Sequence, residues 1–394
     1  MDDLDRMTEF IPPFVVALVA SAFMSWALGA GSSGSTPFAP AVGANAISIM
    51  RAAFLVGFLG FAGASLQGAS VSEAVGSELI VGLTLPTVAV IVVLVTAAGL
   101  MAIGIVTGYP IATAFTVTGV VIGSGLALGG DPAWAKYAEI ATMWLLAPIV
   151  GGGIAFGIAR ILPRDDVPER FSVPVIAAAV GAIVVNVEFA LLASGEEMAS
   201  VAATVGATFP TPWLGRIAVS GVAAGVALVI VYAQITSNVE RGLRSFLLLL
   251  GGLVAFSAGA SQVGLAVGPL VPLVEGTMIT VTALATGGGV GLLLGSWTAA
   301  PRMIKAIAQD YASLGPRRSI AALFPSFAIA QVAVLYGIPV SFNQIVVSAI
   351  IGAGVAVGGS DVISKRKIGV TIGAWIGSFL LAFAIGYGVL SVYP

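Results

Sequence analysis

The 394-residue chain contains no cysteine and no histidine, and only 9% of its residues are charged. Without cysteine the protein has no disulfide, no thiolate nucleophile and no cysteine metal site. Without histidine it lacks the side chain that ordinarily titrates near neutral pH. A soluble domain usually has about a quarter of its residues charged. These shortages exclude cysteine and histidine chemistry and an ordinary soluble fold.

Recognisable catalytic and nucleotide-binding motifs are also missing. The sequence has no P-loop, no nucleophile elbow, no zinc-binding spacing and no dinucleotide fingerprint. Its basic residues lie mostly in short connections between apolar runs, where they indicate orientation rather than a nucleic-acid surface. We therefore predict a protein that is not an enzyme and has no catalytic residues, no resident cofactor or metal and no nucleic-acid partner.

Apolar sequence is abundant: 58% of the residues are hydrophobic and the mean hydropathy is +1.09. A helix needs about 20 predominantly apolar residues to cross a lipid bilayer. We predict an all-α fold, a polytopic membrane protein of about twelve transmembrane helices. The predicted crossings are residues 11–30, 46–68, 82–107, 110–130, 139–162, 171–193, 215–236, 245–273, 278–299, 319–337, 339–359 and 369–392.

Basic residues recur in every second connection of the later part of the chain. By the positive-inside rule these connections face the cytoplasm, which places both termini outside a cell (plasma) membrane. The residues concerned are Arg160, Arg164, Arg170, Arg241, Arg244, Arg302, Lys305, Arg317, Arg318, Lys365, Arg366 and Lys367.

One stretch of the sequence occurs twice. VIGSGLALGG at residues 121–130 is matched by IIGAGVAVGG at residues 350–359, and GYP at 108–110 is matched by GIP at 337–339, all at an offset of 229. The two copies lie in the fourth and eleventh predicted crossings, an odd number apart. They therefore run in opposite directions through the membrane and form an inverted repeat.

The repeat divides the chain into three predicted parts. These are a first inverted repeat at 1–162, connecting helices at 163–244 and a second inverted repeat at 245–394. LGA at 28–30 and AGA at 258–260 support this division, because they stand at an offset of 230. The alternative is a chance match in sequence rich in glycine, alanine and valine. In carriers built from repeats, the substrate site lies where the repeats meet.

Four segments inside the predicted crossings contain helix-breaking or polar residues. Residues 29–45 and 257–270 combine glycine and proline with polar side chains, and Pro110 and Pro339 stand where a helix would begin. Irregular backbone at membrane depth is tolerated only where protein buries it or where it lines a cavity. We expect four half-helix N-termini, whose free N–H groups and positive dipole ends would bind a small oxyanion. The alternative is that these segments are loop caps and packing kinks.

Further polar residues inside the predicted crossings include Glu188, Gln67 and Gln331. Glu188 is the acidic residue that we place within a crossing, and it is a candidate for coupling transport to a cation. An interfacial or subunit-contact role is its alternative. Gln67 and Gln331 are predicted to form interhelical hydrogen bonds rather than to bind a ligand.

At these positions the chain resembles the inorganic phosphate transporter (PiT) family, which carries a GANDVANA-like and a PVSTTH-like motif in each of two inverted halves. The first motif resembles GAGSSGS at 29–35 and FSAGASQVGLAVGPL at 256–270. The second resembles PIATAF at 110–115 and PVSFNQ at 339–344. The resemblance covers most of the chain and implies a carrier that binds phosphate where these motifs meet.

The chain departs from this family at the acidic residue of the first motif. Ser32 and Gln262 stand where the family has aspartates implicated in cation coupling. Hydroxyls, glutamine and free carbonyls can supply the oxygen ligands that sodium needs, but no motif carboxylate remains to balance its charge. We therefore expect that transport depends only weakly on sodium.

Together these observations predict a carrier for an inorganic oxyanion, with phosphate as the first choice, working by alternating access with sodium as the candidate symported ion. The alternatives are a sulfate permease and a non-transporting, PiT-derived membrane protein that binds an anion or a partner subunit. A homo-oligomer is a further prediction. The predicted substrate-binding residues, assisted by backbone N–H groups, are Ser32, Ser35, Thr113, Ser261, Gln262, Ser341 and Asn343.

Overall fold

The computed structural model describes residues 2–164, 168–192, 198–311, 314–358 and 364–393, with the backbone alone at 2–12, 191, 357 and 358. Gly359, the last residue of the second repeated decapeptide, lies outside these ranges. Helices within them are α1 (Asp2–Gly31), α2 (Ala39–Gly43), α3 (Ile49–Gln67), α4 (Ala69–Ser77), α5 (Thr87–Thr107), α6 (Thr113–Ala127), α7 (Trp134–Ile161), α8 (Glu169–Val185), α9 (Val201–Gly206), α10 (Pro212–Ser237), α11 (Val239–Val267), α12 (Val271–Val274), α13 (Val281–Thr298), α14 (Ala300–Asp310), α15 (Pro316–Leu335), α16 (Phe342–Gly358) and α17 (Lys365–Val392). Two short antiparallel pairs join β1 (Ile80–Val81) to β2 (Asp131–Pro132) and β3 (Glu188–Phe189) to β4 (Ala199–Ser200).

The longer helices follow the order of the predicted crossings, and the prediction of an all-α polytopic membrane protein is confirmed. Eight described helices are long and apolar enough to span a bilayer. They are α1 from Pro13, α3, α5, α7, α10, α11 with its continuation to Val274, α15 and α17. Helices α6 and α16 are shorter, and each begins at a residue that is fully buried inside the protein.

Helices from the two ends of the chain are interleaved. α1 packs on α13 and α3 on α11, while α6 packs on α17 and α7 on α16. Glycine permits the close approach of the first two pairs, because a Cβ at Gly29 would overlap the carbonyl oxygen of Leu292 and a Cβ at Gly259 would overlap that of Gly60. In lipid, helix association depends on such contacts between small residues. The early and late helices therefore form one packed body.

The connecting helices α8 and α10 form a layer at the edge of this body. They pack chiefly on each other, and only 11% of an 18-residue apolar window of α10 is buried inside the protein. Its exposed residues include Ile217, Val222 and Ile230, as expected for a face that contacts lipid. Asn186, at the end of α8, donates from Nδ2 to Ser220 Oγ on α10 at 2.8 Å.

The motif segments differ in how they break the helices. α1 ends at Gly31, and turns follow it as expected. By contrast, α11 is continuous to Val267, so the expectation of a broken helix around Ser261 and Gln262 is wrong. Serine and glutamine can occupy a helix that is buried in protein, where neighbouring segments satisfy their side chains. The helix is interrupted only near Pro269, which has no N–H to continue it.

Two further interruptions had no clear signal in the sequence. α3 and α4 meet at Gly68, and α13 and α14 meet at Ala299. A single glycine says little in a chain that contains 51 of them. Each short helix that follows packs on a short helix from the other half of the chain, since α4 contacts α12 and α14 contacts α2.

Candidate functional site

All seven residues predicted to bind substrate are buried, with at most 1% of each exposed. They come from four segments: the turn after α1, the start of α6, the last third of α11 and the segment that leads into and begins α16. The sequence pattern therefore identified positions that share the interior of the protein, although not all of them are in contact. In order they are Ser32, Ser35, Thr113, Ser261, Gln262, Ser341 and Asn343.

The side-chain amide of Gln262 joins three of these segments. Its Oε1 accepts from Ser32 Oγ at 3.0 Å and from Thr113 Oγ1 at 2.7 Å. Its Nε2 donates to the carbonyl oxygen of Val340 at 2.9 Å. Ser32 and Gln262, which occupy matching positions of the two motif copies, are thus hydrogen-bonded to each other at the centre of the protein.

Asn343 makes a second set of bonds between the same segments. Its Nδ2 donates to the carbonyl oxygens of Gly31 at 3.0 Å and Ile111 at 2.7 Å. Two polar atoms here are buried without a hydrogen-bond partner among the described residues, Asn343 Oδ1 and Ser261 Oγ. Buried polar atoms are nearly always hydrogen-bonded, so such exceptions indicate strain, water or a ligand.

Two helix N-termini point into this set of residues. The first intrahelical bond of α6 runs from Thr116 N–H to the Ala112 carbonyl, and that of α16 from Ile345 N–H to the Ser341 carbonyl. The N–H groups before these bonds have no intrahelical partner and carry the positive end of the helix dipole. Four such N-termini were expected. That number is wrong, because the other two segments are the end of α1 and the uninterrupted α11.

Two of the predicted residues bond locally instead of joining the set around Gln262. Ser35 Oγ donates to the Ser32 carbonyl at 3.2 Å, next to Thr36 Oγ1, which donates to the same carbonyl at 3.1 Å. Ser341 Oγ accepts from Gln344 N–H at 3.4 Å and so caps α16. These hydroxyls hold the turn after α1 and the start of α16 in shape.

Two tryptophans that the sequence reasoning missed hold the prolines of the second motif. Trp375 Nε1 on α17 donates to the Pro110 carbonyl at 2.8 Å, and Trp144 Nε1 on α7 donates to the Pro339 carbonyl at 2.9 Å. In each case the tryptophan lies in the opposite half of the chain from its proline. The two tryptophans are 231 positions apart, close to the repeat offset, and this spacing was the signal that could have revealed them.

Charged residues form two ion pairs outside this hydrogen-bonded set. Lys136 Nζ is 2.7 Å from Glu78 Oε2, and Lys367 Nζ is 3.0 Å from Asp310 Oδ2. Lys367 also lies over the ring of Tyr109, 4.2 Å from its centroid. Every side chain in the hydrogen-bonded set at the centre is uncharged, and within the described ranges no group of three or more acidic residues could hold a metal ion.

Close to Lys367, a buried tyrosine remains protonated. Burial raises the pKa of the Tyr311 phenol above its ordinary value, and its hydroxyl is hydrogen-bonded to Thr371 Oγ1 at 2.7 Å.

Glu188 does not lie within a membrane helix. α8 ends at Val185, and Glu188 follows in strand β3, half-buried. Placing it in a crossing was wrong because the apolar pattern of residues 171–193 continues past the end of the helix. Glu188 lines a cavity of about 340 Å³ together with Gln67 and Gln331, among others.

The predicted interhelical bonding of the two glutamines is confirmed. Gln67 Nε2 donates to Gln331 Oε1 at 3.1 Å, and Gln331 Nε2 donates to Ser257 Oγ at 2.7 Å. This small network ties α3, α15 and α11 together beside the cavity.

Comparison with known proteins identifies the family to which the chain belongs. The chain is 25% identical to a protein of Thermococcus kodakarensis that is provisionally named a phosphate permease, over 95% of this chain and 98% of the relative. It is 24% identical to the chloroplastic inorganic phosphate transporter 2-1 of Arabidopsis thaliana, over 94% and 70%. A solved structure titled the sodium-dependent phosphate transporter has a similar fold, with a TM-score of 0.80, 23% identity and 97% of this chain covered against 99% of that one. Residues 28–386 match the Phosphate transporter family, and the chain belongs to that family.

Proposed function

We propose that this protein carries inorganic phosphate, or a closely similar tetrahedral oxyanion, across a membrane by alternating access. The observation that carries the proposal is the meeting of two helix N-termini with buried hydroxyl and amide groups around Gln262. Membership of the Phosphate transporter family, and the names of the relatives and of the structural neighbour, support phosphate as the substrate.

The groups at this site suit an anion even though none of them is charged. Each helix N-terminus is equivalent to about half a positive charge and offers N–H donors. The hydroxyls of Ser32 and Thr113, which now donate to Gln262 Oε1, can rotate and donate to an oxyanion instead. An anion bound there would replace its hydration shell with hydroxyl and backbone donors from both halves of the chain.

Purified protein in liposomes tests this function. We expect saturable uptake of radiolabelled phosphate that protein-free liposomes lack, and slower uptake of radiolabelled sulfate. Faster uptake of sulfate would favour the sulfate permease. A chain that moves neither anion under any ion gradient would be the non-transporting, anion- or partner-binding protein, and the proposed function would be wrong.

We propose sodium as the coupling ion, with a weak effect on transport. Oxygen ligands are present at the site, but Ser32 and Gln262 leave it without a carboxylate, so a sodium ion binds chiefly together with the anion. We expect Gln262→Asp to strengthen the sodium dependence of the initial uptake rate, measured with choline replacing sodium. Steep, saturable dependence in the native chain that this substitution leaves unaltered would place the cation elsewhere, with Glu188 as the candidate.

We also propose that residues 1–162 and 245–394 are inverted repeats joined by 163–244, with both termini outside the plasma membrane. The interleaved helix pairs and the exchanged tryptophan bonds support the repeats. In this cysteine-free chain, Met278→Cys should react with an impermeant thiol reagent from outside and Ser237→Cys only from inside, since both positions are exposed. Labelling of both from one side would contradict this orientation. The homo-oligomer stays a prediction, which light scattering of the purified protein would check.

A further inference from the structure

The orientation of the Asn343 amide is fixed by its surroundings. Both hydrogens of Nδ2 are engaged, one by the Gly31 carbonyl at 3.0 Å and one by the Ile111 carbonyl at 2.7 Å. Rotating the amide by half a turn would place Oδ1 against two carbonyl oxygens, where it could accept nothing. Nδ2 therefore faces the two carbonyls, and Oδ1 is the amide atom without a hydrogen-bond partner among the described residues.

That oxygen is buried and has no donor. Asn343 is fully buried, and its Oδ1 is without a partner among the described residues. The other side-chain amide of the site differs, because Gln262 Oε1 already accepts two hydroxyl hydrogens. A buried acceptor without a hydrogen-bond partner is costly unless a ligand or an ordered water completes it.

A ligand for this oxygen must bring its own hydrogen. Phosphate keeps at least one P–O–H group throughout the neutral pH range, whereas sulfate is fully deprotonated and has none. The backbone N–H of Asn343 belongs to the first turn of α16, ahead of the first intrahelical bond. This one residue thus presents a donor for an anionic oxygen and an acceptor for a hydroxyl.

We infer that Asn343 is a specificity-determining residue, whose Oδ1 accepts the hydroxyl hydrogen of protonated phosphate and so disfavours oxyanions that have no hydrogen. The inference rests on the proposed function and adds the chemical basis on which the site selects its anion. A site built to hydrogen-bond a substrate hydroxyl rejects an analogue without it, because the buried acceptor is then left unpaired.

A series of anions tests this on the unaltered chain. Unlabelled phosphate, sulfate and monofluorophosphate compete with radiolabelled phosphate for uptake into liposomes at pH 7.5. Monofluorophosphate matches the phosphate dianion in shape and charge but has fluorine in place of the hydroxyl. We expect sulfate and monofluorophosphate to compete about 5- to 150-fold less well than phosphate. Equal competition by phosphate and monofluorophosphate would overturn the inference while leaving phosphate transport established.

A substitution at Asn343 tests whether this residue causes the preference for phosphate. Asn343→Leu keeps the branched shape of the side chain but removes the acceptor, together with the Nδ2 donor to Gly31 and Ile111. We expect it to weaken phosphate more than the two analogues, so that the ratio of the analogue's half-competing concentration to that of phosphate falls toward one. Gln344→Leu is the matched control, since it removes the neighbouring amide, which donates to the Trp144 carbonyl, and should leave the ratio unchanged. An unaltered ratio in Asn343→Leu, or a change only in sodium dependence, would show that the oxygen serves another ligand. If Asn343→Leu does not fold, the anion series decides alone.

Discussion

The early and late parts of the chain use the same framework but different chemistry at the centre. In both, a tryptophan on the last helix, Trp144 or Trp375, holds a proline carbonyl of the other part. At the motif itself, however, one part supplies the hydroxyl of Ser32 and the other the amide of Gln262. Positions that set the backbone are alike in the two parts, whereas the positions proposed to face the substrate differ. The matching positions of the two parts are therefore alike in packing, but they offer different chemical groups at the candidate site.

The same contrast holds away from the centre. Lys136 pairs with Glu78 and Lys367 with Asp310, and the two lysines are 231 positions apart. The bridge from Gln331 to Ser257 has no counterpart, because the positions 229 and 230 residues earlier hold Ala102 and Ala27. This polar contact beside the cavity is therefore not repeated at the matching positions of the early part.

The largest effect is expected at the glycines where the interleaved helices cross. Gly29→Ala and Gly259→Ala each add a Cβ against backbone, which cannot give way as a side chain could, so destabilisation should reach about 3 kcal/mol or more. Both variants should lower the melting temperature and the monodisperse yield in detergent, whereas Gly287→Ala, which meets nothing within 4 Å, should not. If only one of these two variants were destabilised, Gly29 and Gly259 would not be equivalent positions of the two proposed repeats.

A smaller but specific loss is expected at the hydroxyls of α6. Thr113→Val removes the donor to Gln262 and should cost about 1–3 kcal/mol, or roughly 5- to 150-fold in the half-saturating phosphate concentration. Thr116→Val is the control on the same helix, because among the described residues that hydroxyl bonds to the Ala112 carbonyl and not to Gln262. Equal effects of the two variants on uptake would mean that α6 supports the shape of the site and that the Thr113 hydroxyl does not bind the anion.

A third prediction concerns the hydrogen bonds from the two tryptophans to the proline carbonyls. Trp144→Phe and Trp375→Phe each leave a proline carbonyl without its indole donor, and both should raise the half-saturating phosphate concentration by about 2- to 10-fold. Trp297→Phe, whose indole donates to the Phe54 carbonyl on a different helix pair, should leave that concentration unchanged. A change confined to Trp375→Phe would show that only one half holds the anion.

The smallest effect is expected at the ion pairs. The carboxylates of Glu78 and Asp310 are about half exposed, 50% and 45%, so water and salt screen both pairs. Lys367→Glu should change the initial uptake rate by about 2- to 5-fold, and adding Asp310→Lys should restore it. The corresponding exchange of Lys136 and Glu78 should give an effect of similar size. Failure of both double variants to recover would show that the pairing itself is unimportant.

Much of the fold could be predicted because helices that cross a lipid bilayer need long apolar runs, and few polar residues interrupt those runs in this sequence. The burial of Thr113 and Gln262 followed from their polar side chains in apolar surroundings, and the interhelical hydrogen bonding of Gln67 and of Gln331 followed from the same reasoning. That these two glutamines bond to each other was not predicted. What could not be predicted depends on tertiary contacts. Gln262 remains inside a regular helix because Ser32, Thr113 and Val340 satisfy its amide, and no local pattern reports those partners.

The neutrality of the Gln262 site also has an electrical consequence. A carrier whose site holds fixed carboxylates moves their charge through the membrane field whenever the empty site changes sides, at about 2.3 kcal/mol per elementary charge per 100 mV. Here the hydrogen-bonded set contains only hydroxyls and amides. We therefore expect the return of the empty carrier to depend less on voltage than it does in a carrier with fixed carboxylates, because this set adds no charge that would cross the membrane field. The membrane potential would act chiefly on the loaded form, through the charge of the anion and of any cation that accompanies it.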